Sequence, residues 1–332
     1  MMTNSMPLHI DTGAVVIGRN EGEQLRACLR SVKRKLQHVV YVDSGSTDDS
    51  IDIAIESGVE VVRLDLSTPF TAARARNLGF SRLNESMPDV DFIQFIDGDC
   101  ELAPEWLETA VAFLKHNDNV GVACGRRRER YPEATVYNWL CDIEWNTRIG
   151  ETRACGGDAL MRKTAFTESG GFRDGLIAGE EPELCLRLRQ KHWRIWRLDE
   201  EMTLHDARIM RFKQWWTRAT RAGHAFAEGA WIHAAGHEKH WAKETLRAII
   251  WGIGIPIFGF ILGLIDPRFF LVFLLYPIQL IRLMIRGKKM SMRQRFFHAC
   301  FLLLGKFAEA AGILKFLFGR LRGKTHGIIE YK

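Results

Sequence analysis

Two aspartates separated by one glycine, Asp97-Gly98-Asp99, directly follow the apolar run Phe92-Ile93-Gln94-Phe95-Ile96. A strand ending there puts both carboxylates near one sheet edge, and the glycine between them admits close approach of a ligand. Two hard oxygen donors so placed can hold Mg²⁺ or Mn²⁺ against a diphosphate. A second acidic set, Glu180-Glu181-Pro182-Glu183, opens a helical stretch that runs to Lys191. Acids at a helix start favour its dipole, and the same carboxylates can take a proton from a reacting hydroxyl. Taken singly, the first string also describes a surface turn and the second a solvated helix start.

The elements around these residues are those of an α/β domain. Ala14-Val15-Val16-Ile17, Val39-Val40-Tyr41-Val42, Val59-Glu60-Val61-Val62 and the run before Asp97 are mostly unbroken β-rich segments, as expected of central parallel strands covered on both faces. Helical stretches Glu23 to Lys35, Asp48 to Ser57 and Ala72 to Leu83 alternate with them, which predicts an open doubly wound sheet with right-handed crossovers. Ser46-Thr47-Asp48-Asp49 offers a capping box to the second helix. Ligands of such sheets sit beyond the carboxyl ends of the strands, which selects Arg19-Asn20-Glu21, Asp43-Ser44-Gly45-Ser46 and Asp97-Gly98-Asp99. Further strands are expected at Val120 to Cys124 and Trp193 to Leu198, with a tryptophan-rich helix at Phe212 to Glu228.

The 332 residues, 47% of them hydrophobic, suffice for one large domain over 8–230 and a smaller region over 231–332. A net charge of +6 favours an anionic partner such as a nucleotide diphosphate or lipid head groups. Seven scattered cysteines, an odd count without a close pair, speak against a disulfide framework or a zinc knuckle and for a reducing compartment. Met1 to Asp11 lacks the pattern of a signal peptide, so the first two thirds of the chain are expected in the cytoplasm. Over 248–285 the chain reads as a membrane hairpin turning at Asp266-Pro267-Arg268; its arms are near the lower limit for spanning, so a re-entrant hairpin is the alternative. Lys243, Arg247, Arg286, Lys288 and Lys289 put positive charge at its outer ends, which places both ends in the cytoplasm. Residues 296–318 read as an interfacial amphipathic helix, and the basic tail from Arg320 suits anionic lipid.

Four segments in order carry a family resemblance: Val15-Val16-Ile17-Gly18-Arg19-Asn20-Glu21, Val42-Asp43-Ser44-Gly45-Ser46-Thr47-Asp48-Asp49-Ser50, Ala73-Arg74-Ala75-Arg76-Asn77-Leu78-Gly79 and Phe95-Ile96-Asp97-Gly98-Asp99. From Ala14 to about Gly229 the chain resembles the family 2 glycosyltransferases, inverting enzymes of the GT-A fold. That resemblance implies a nucleotide-sugar donor held by Arg19, Asn20, Glu21, Asp43, Ser44, Gly45, Arg76 and Asp97. It further implies a metal on Asp99, with Asp97 acting through the ribose or the metal and His205 near the metal or diphosphate. The segment from Gly179 to Leu188 resembles the family's later acidic motif, whose second carboxylate is the general base; Glu181 stands where Asp is usual, with Glu180 as the alternative. Gly156-Gly157-Asp158 resembles the acceptor-side segment and makes Asp158 a hydroxyl ligand. Gln214-Trp215-Trp216-Thr217-Arg218 does not keep the order found in processive members, which speaks against polymerisation.

The expected activity is therefore metal-dependent sugar transfer to a glycan or lipid-linked acceptor at the cytoplasmic face of a membrane, in cell-surface polysaccharide biosynthesis. A catalytically silent nucleotide-binding membrane scaffold and a nucleotidyltransferase are the alternatives. The latter ordinarily has a glycine-rich basic loop after its first strand, which Gly18-Arg19-Asn20-Glu21 is not. Arg126-Arg127-Arg128 lacks interleaved aromatic residues, so nucleic acid is not an expected partner.

Overall fold

The computed structural model describes residues 11–287 and 290–323. Strands β1 (Thr12–Gly18), β2 (Val39–Asp43), β3 (Glu60–Arg63) and β4 (Phe92–Asp97) form where the apolar runs stand, in the parallel order β3-β2-β1-β4. The crossovers are α1 (Glu23–Lys33), α2 (Ser50–Glu56) and α3 (Ala72–Ser86). β3 departs from the central position expected of it: it is the sheet edge, and its side chains are only partly covered. α3 lies close on the sheet because Gly79 has no side chain; a Cβ there would fall 2.3 Å from Val15 Cγ1 and 2.9 Å from Val42 Cγ2. That approach carries Arg76, three residues earlier, in toward the strand ends.

Beyond β4 follow β5 (Cys100–Leu102), α4 (Trp106–Lys115), β6 (Val120–Glu129), α5 (Val136–Trp145), β7 (Gly150–Glu151), β8 (Ala159–Arg162), α6 (Lys163–Glu168), α7 (Glu180–Gln190) and β9 (Arg194–His205). The sheet continues β4-β8-β6-β9-β5, with β7 also on β9. β8 runs antiparallel to β4, so Asp158, the residue before it, lies at the carboxyl end of β4. β9 is longer than the expected strand, and its last residue, His205, pairs with Cys100 of antiparallel β5 beside Asp99. β6 is likewise longer and brings Glu129 opposite His205 in the parallel β6-β9 pairing.

Apart from the first half of α5, these elements make one compact unit, Asp11–Ala134 together with Cys141–Arg208; Thr135–Leu140 and the described chain from Ile209 make another. The division falls at 208/209 rather than the expected 230/231. The reason lies in the second unit, where α8 (Phe212–Ile232) packs on α12 (Met292–Leu321). A Cβ on Gly223 would lie 2.0 Å from the Glu309 carbonyl oxygen, and one on Gly312 would lie 2.0 Å from that of Thr220, so backbone meets backbone. α12 buries one face, with Ala308, Ala310, Gly312, Ile313 and Phe316 covered, while Phe296, Leu302, Leu314 and Leu317 stand exposed on it.

Between α8 and α12 the chain forms α9 (Ala242–Ile249), a π-helical turn (Ile250–Gly254), α10 (Ile255–Ile265), a 3₁₀ segment (Pro267–Leu274) and α11 (Leu275–Arg286). Asp266 makes the turn, its Oδ1 accepting the Arg268 N–H at 2.9 Å. The continuous helices Ala242–Ile265 and Pro267–Arg286, 24 and 20 residues, are long and apolar enough to cross a membrane by length and composition. Phe258, Phe260, Leu264, Ile278 and Ile281 stand exposed along them. Lys288, Lys289, the tail from Lys324 and the segment Met1–Ile10 lie outside the described residues.

Candidate active site

The loops after β1 and β2 are tied together by their own polar groups. The buried Asp43 carboxylate accepts the N–H groups of Gly45 at 2.9 Å and Ser46 at 3.0 Å through Oδ2, and the Tyr41 hydroxyl at 3.2 Å through Oδ1. Asn20, in the left-handed region, donates its N–H to Ser46 Oγ at 2.9 Å, and its Oδ1 accepts the Thr47 N–H at 2.7 Å. Ser50 Oγ accepts from the N–H groups of Glu21 and Gly22, both at 3.1 Å. The expected capping box on α2 does not form. Its N-cap is Asp49, without a side-chain cap bond, because Asp48 turns to the Ser50 N–H and Ser50 is drawn to the β1 loop. Arg19 lies over the Phe70 ring at 4.5 Å, with Nε 3.4 Å from the Gly45 carbonyl. Arg19, Asn20, Glu21, Asp43, Ser44 and Gly45 thus occupy one double loop at the carboxyl edge of β1 and β2.

At the end of β4 a buried guanidinium bridges two carboxylates. Arg76 gives Nη2 to Asp97 Oδ1 at 2.7 Å and Nη1 to Glu180 Oε1 at 2.6 Å, while only 2% exposed. Arg127 adds a bond from Nη2 to Asp97 Oδ2 at 3.1 Å. Burial alone would raise the Asp97 pKa, but Arg76 and Arg127 hold it below the usual carboxylate range. Gly157 leaves room for this cluster: a Cβ there would stand 3.0 Å from both Arg76 Nη2 and Asp97 Oδ2.

Asp158 is fully buried rather than presented to a ligand. Its Oδ1 accepts the Asp97 backbone N–H at 3.0 Å and its Oδ2 the Thr203 hydroxyl at 2.7 Å, with Arg127 Nε at 3.5 Å. The expected acceptor contact is corrected accordingly: with no exposed surface and both oxygens engaged, Asp158 sets the end of β4 from behind.

The two aspartates of Asp97-Gly98-Asp99 separate in role. Gly98 turns back against β1, its N–H on the Ile17 carbonyl at 2.8 Å, and a Cβ would come within 3.1 Å of that oxygen. Asp99 thereby faces β9, its Oδ2 3.2 Å from His205 Nε2. Burial first, and then the Arg127 charge, lowers the His205 pKa, so its imidazole is neutral at physiological pH. Asp99, His205 and Cys100 present ligand atoms within 4.8 Å of one another, as do Asp97, Cys100 and Asp158. Burial pushes the Cys100 thiol well up, so it is a poor donor. One carboxylate and one neutral imidazole remain, a set that fits a divalent ion completing its shell with phosphate oxygens and water.

Glu181, the second residue of α7, lies beside this cluster. Burial, and then the charge of Glu180, push its carboxyl up to about 7 against the pull of Arg76. Glu180 is committed to Arg76, so of the two candidates Glu181 is the carboxyl poised to exchange a proton near neutrality. Glu183 is structural: it is fully buried, with Arg187 Nη2 at 2.7 Å and Arg173 Nε at 3.2 Å.

The sequence reading did not single out Glu129 or Trp145, and weighed Arg127 only as part of a basic run without interleaved aromatic residues. Trp145 packs edge to face with His205, centroids 4.8 Å apart, and lies 5.1 Å from the Arg127 guanidinium. The signal for Arg127 and Glu129 is the register of two long strands, which no local motif encodes; Trp145 is supplied by the last residue of α5.

Residues 14–171 match the family model described as glycosyl transferase family 2. Glycosyltransferase AglE of Haloferax volcanii is 22% identical over 220 residues, covering 62% of this chain and 69% of that protein. A TPR repeat-containing protein of Synechococcus elongatus is 34% identical over 94 residues, 28% of this chain and 22% of its own. An uncharacterized glycosyltransferase of Rickettsia felis is 33% identical over 107 residues, 32% of this chain and 35% of its own. The chain thus spans well under half the length of two of these three curated relatives. Among solved structures, a mannosyltransferase of Pyrobaculum calidifontis in complex with GDP-Man and Mn²⁺ superposes with a TM-score of 0.62 at 14% identity, covering 93% of this chain and 88% of that one. The likeness to that structure is one of fold.

Proposed function

We propose that this chain, which carries a glycosyl transferase family 2 domain over residues 14–171, moves a sugar from a nucleotide-sugar donor to a lipid-linked or cell-surface glycan acceptor with inversion. The observation that carries the reading is the convergence, at one sheet edge, of the Asp99–His205 pair, the Asp97–Arg76–Glu180 bridge and the raised carboxyl of Glu181. Asp99 and His205 would hold Mn²⁺ or Mg²⁺, with the imidazole favouring Mn²⁺. When bound, the ion neutralises charge that grows on the leaving diphosphate. Glu181 takes the proton of the attacking hydroxyl; burial and then the charge of Glu180, against the pull of Arg76, push its carboxyl up to about 7. The double loop of residues 19–21 and 43–46 receives the nucleoside, held by Asp43 and Asn20 in a fixed shape. The complex of the Pyrobaculum protein with GDP-Man and Mn²⁺ supports this class of donor and ion.

The two long apolar helices support attachment to a membrane, with the first unit on the cytoplasmic side, where the basic residues Lys243, Arg247 and Arg286 flank them. The test is release of nucleoside diphosphate from UDP-, GDP- and dTDP-sugars by detergent-solubilised protein, with Mn²⁺, Mg²⁺ or EDTA, with and without membrane lipid extract. One donor consumed only with metal, faster with lipid, and not at all by Asp99→Ala of unchanged melting temperature, is the expected result. Near-normal metal-dependent turnover by Asp99→Ala refutes the metal assignment, and equal activity without lipid refutes the acceptor.

A further inference from the structure

Two cysteine thiols meet next to the acidic cluster. Cys155 Sγ lies 3.5 Å from Cys185 Sγ, with Cys185 buried and Cys155 partly exposed. They belong to the two segments that frame the site. Cys155 stands two residues before Gly157, whose missing side chain makes room for Arg76 Nη2 and Asp97 Oδ2. Cys185 lies in α7 four residues after Glu181, one turn along the same helix face. Of the two sides α7 is the fixed one, since Glu183 pairs with Arg173 and Arg187, and Glu180 with Arg76. Arg189 of α7 also donates to the Arg153 carbonyl, which keeps the Cys155 segment against the helix. Within that segment the pliable point is Gly156, exposed, with φ of 87° and nothing within 4 Å of where a Cβ would stand. The other cysteines are placed differently: Cys28, Cys100, Cys124 and Cys141 are buried, and Cys300 belongs to α12.

We propose that Cys155 and Cys185 form a thiol-oxidation site, closed by peroxide to a reversible disulfide that displaces the Gly156-Gly157 segment beside Arg76 and Asp97. The Cys155 sulfur attacks one peroxide oxygen; the O–O bond breaks, water leaves, and Cys155 becomes a sulfenic acid. The Cys185 sulfur then attacks the Cys155 sulfur and expels its hydroxyl as a second water. The two thiols lose two electrons to the peroxide, and their two protons leave in the two waters. A disulfide holds its sulfurs about 2.05 Å apart, so closure from 3.5 Å asks for about 1.5 Å of approach, which falls on the segment at Gly156 rather than on α7. The hydrogen bond between the thiols, and then burial, raise the Cys155 pKa well above its ordinary value, so the resting pair is protonated and reacts slowly at neutral pH. In a reducing compartment such a bond is transient, formed under oxidative load and reopened by thiol exchange. The oxidation site stands on its own geometry; its effect on turnover rests on the function proposed above.

The test treats full-length protein in detergent with hydrogen peroxide at about pH 8.5, where more of the pair is thiolate, then alkylates and digests it without reduction. The expected product is a Cys155–Cys185 cross-linked peptide that separates again in dithiothreitol; this readout is made on the parent and needs neither a variant nor turnover. Release of nucleoside diphosphate should fall by about 10²-fold as the cross-link forms, the cost of misplacing a site by about 1 Å, and return with dithiothreitol. Cys155→Ser, at a partly exposed position, should keep parent turnover and lose none of it to peroxide. Both thiols still open to alkylation after peroxide, or a cross-link from Cys185 to Cys124 instead, overturns the site. Cross-linked protein with full turnover, or a Cys155→Ser variant that peroxide inactivates as it does the parent, overturns the displacement. A parent without turnover on any donor defeats the function proposed above, while the cross-linked peptide still decides whether the two thiols form the bond.

Discussion

Replacing Arg76 by Met removes the guanidinium that Asp97 and Glu180 share and keeps much of its aliphatic volume. Its two bonds are short, 2.7 and 2.6 Å, and the side chain is 2% exposed, so the attraction is poorly screened by solvent. Breaking a buried pair by deleting one partner costs about 3–5 kcal/mol, because the remaining charge stays out of water. Asp97 keeps Arg127, so the larger share falls on Glu180. For a unit of this size each kcal/mol moves the melting temperature by about 2–4 °C, giving a loss of about 6–20 °C near pH 7. The pH dependence has a definite sign. Arg76 and Arg127 depress the folded Asp97 pKa, so the stability this confers is present above the unfolded value of 3.8 and is lost as pH falls toward the folded value. The gap between parent and Arg76→Met should therefore narrow below about pH 4. Adding Glu180→Gln to Arg76→Met removes the stranded charge and should recover at least half of the lost stability. Melting followed by near-ultraviolet circular dichroism in detergent reads all three proteins. An Arg76→Met variant within about 1 kcal/mol of the parent, or no recovery in the double variant, refutes the reasoning about a shared buried charge.

If Glu181 is the base, transfer by the parent should rise with pH and level off above about 7, because the carboxyl must lose its proton to act. Glu181→Gln should lower kcat about 10²–10⁴-fold with little change in melting temperature, and an unaltered pH profile in that variant would count against the role. Gly223→Ala forces a methyl to 2.0 Å from the Glu309 carbonyl oxygen, where backbone rather than a movable side chain must give way. It should destabilise the helical unit by about 1–3 kcal/mol or more, seen as early loss of far-ultraviolet helical signal on heating, and a parent-like melt would disprove the close crossing.

Much of this architecture is legible in the sequence because it is local. The unbroken runs at Ala14, Val39 and Phe92 specify buried parallel strands, and the polar residues at their ends fall at the ligand edge as the topology demands. The run at Val59, also rich in valine, forms the edge; its Glu60 and the Arg63 that follows are the charged residues an edge strand tolerates. The side chains that surround Asp97 and His205 are set by pairing between distant strands. Arg127 and Glu129 look like part of an ordinary charged strand end until β9 is laid beside them in register. Asp158 shows the reverse case, a motif residue in the expected place whose side chain turns inward because Thr203 and the Asp97 backbone compete successfully for it. The unit boundary was hidden for a related reason: Gly223 and Gly312 are unremarkable singly, and only their meeting across two helices assigns α8 to the C-terminal unit.

The loops after β1 and β2 are braced by Asp43, Asn20 and Ser50 through bonds of 2.7 to 3.1 Å to backbone N–H groups, none of which needs a ligand to form. A loop left free would lose about 1–2 kcal/mol of conformational entropy for each residue immobilised on binding. Here that ordering is completed during folding, so on the function proposed above a nucleoside would meet a surface already shaped, its binding free energy not spent on arranging the protein. The same bracing separates framework from recognition. On the function proposed above, exposed side chains of the double loop that take no part in these bonds are the ones to exchange to alter which base is accepted, while the carboxylate and hydroxyl beneath them keep the backbone where it is.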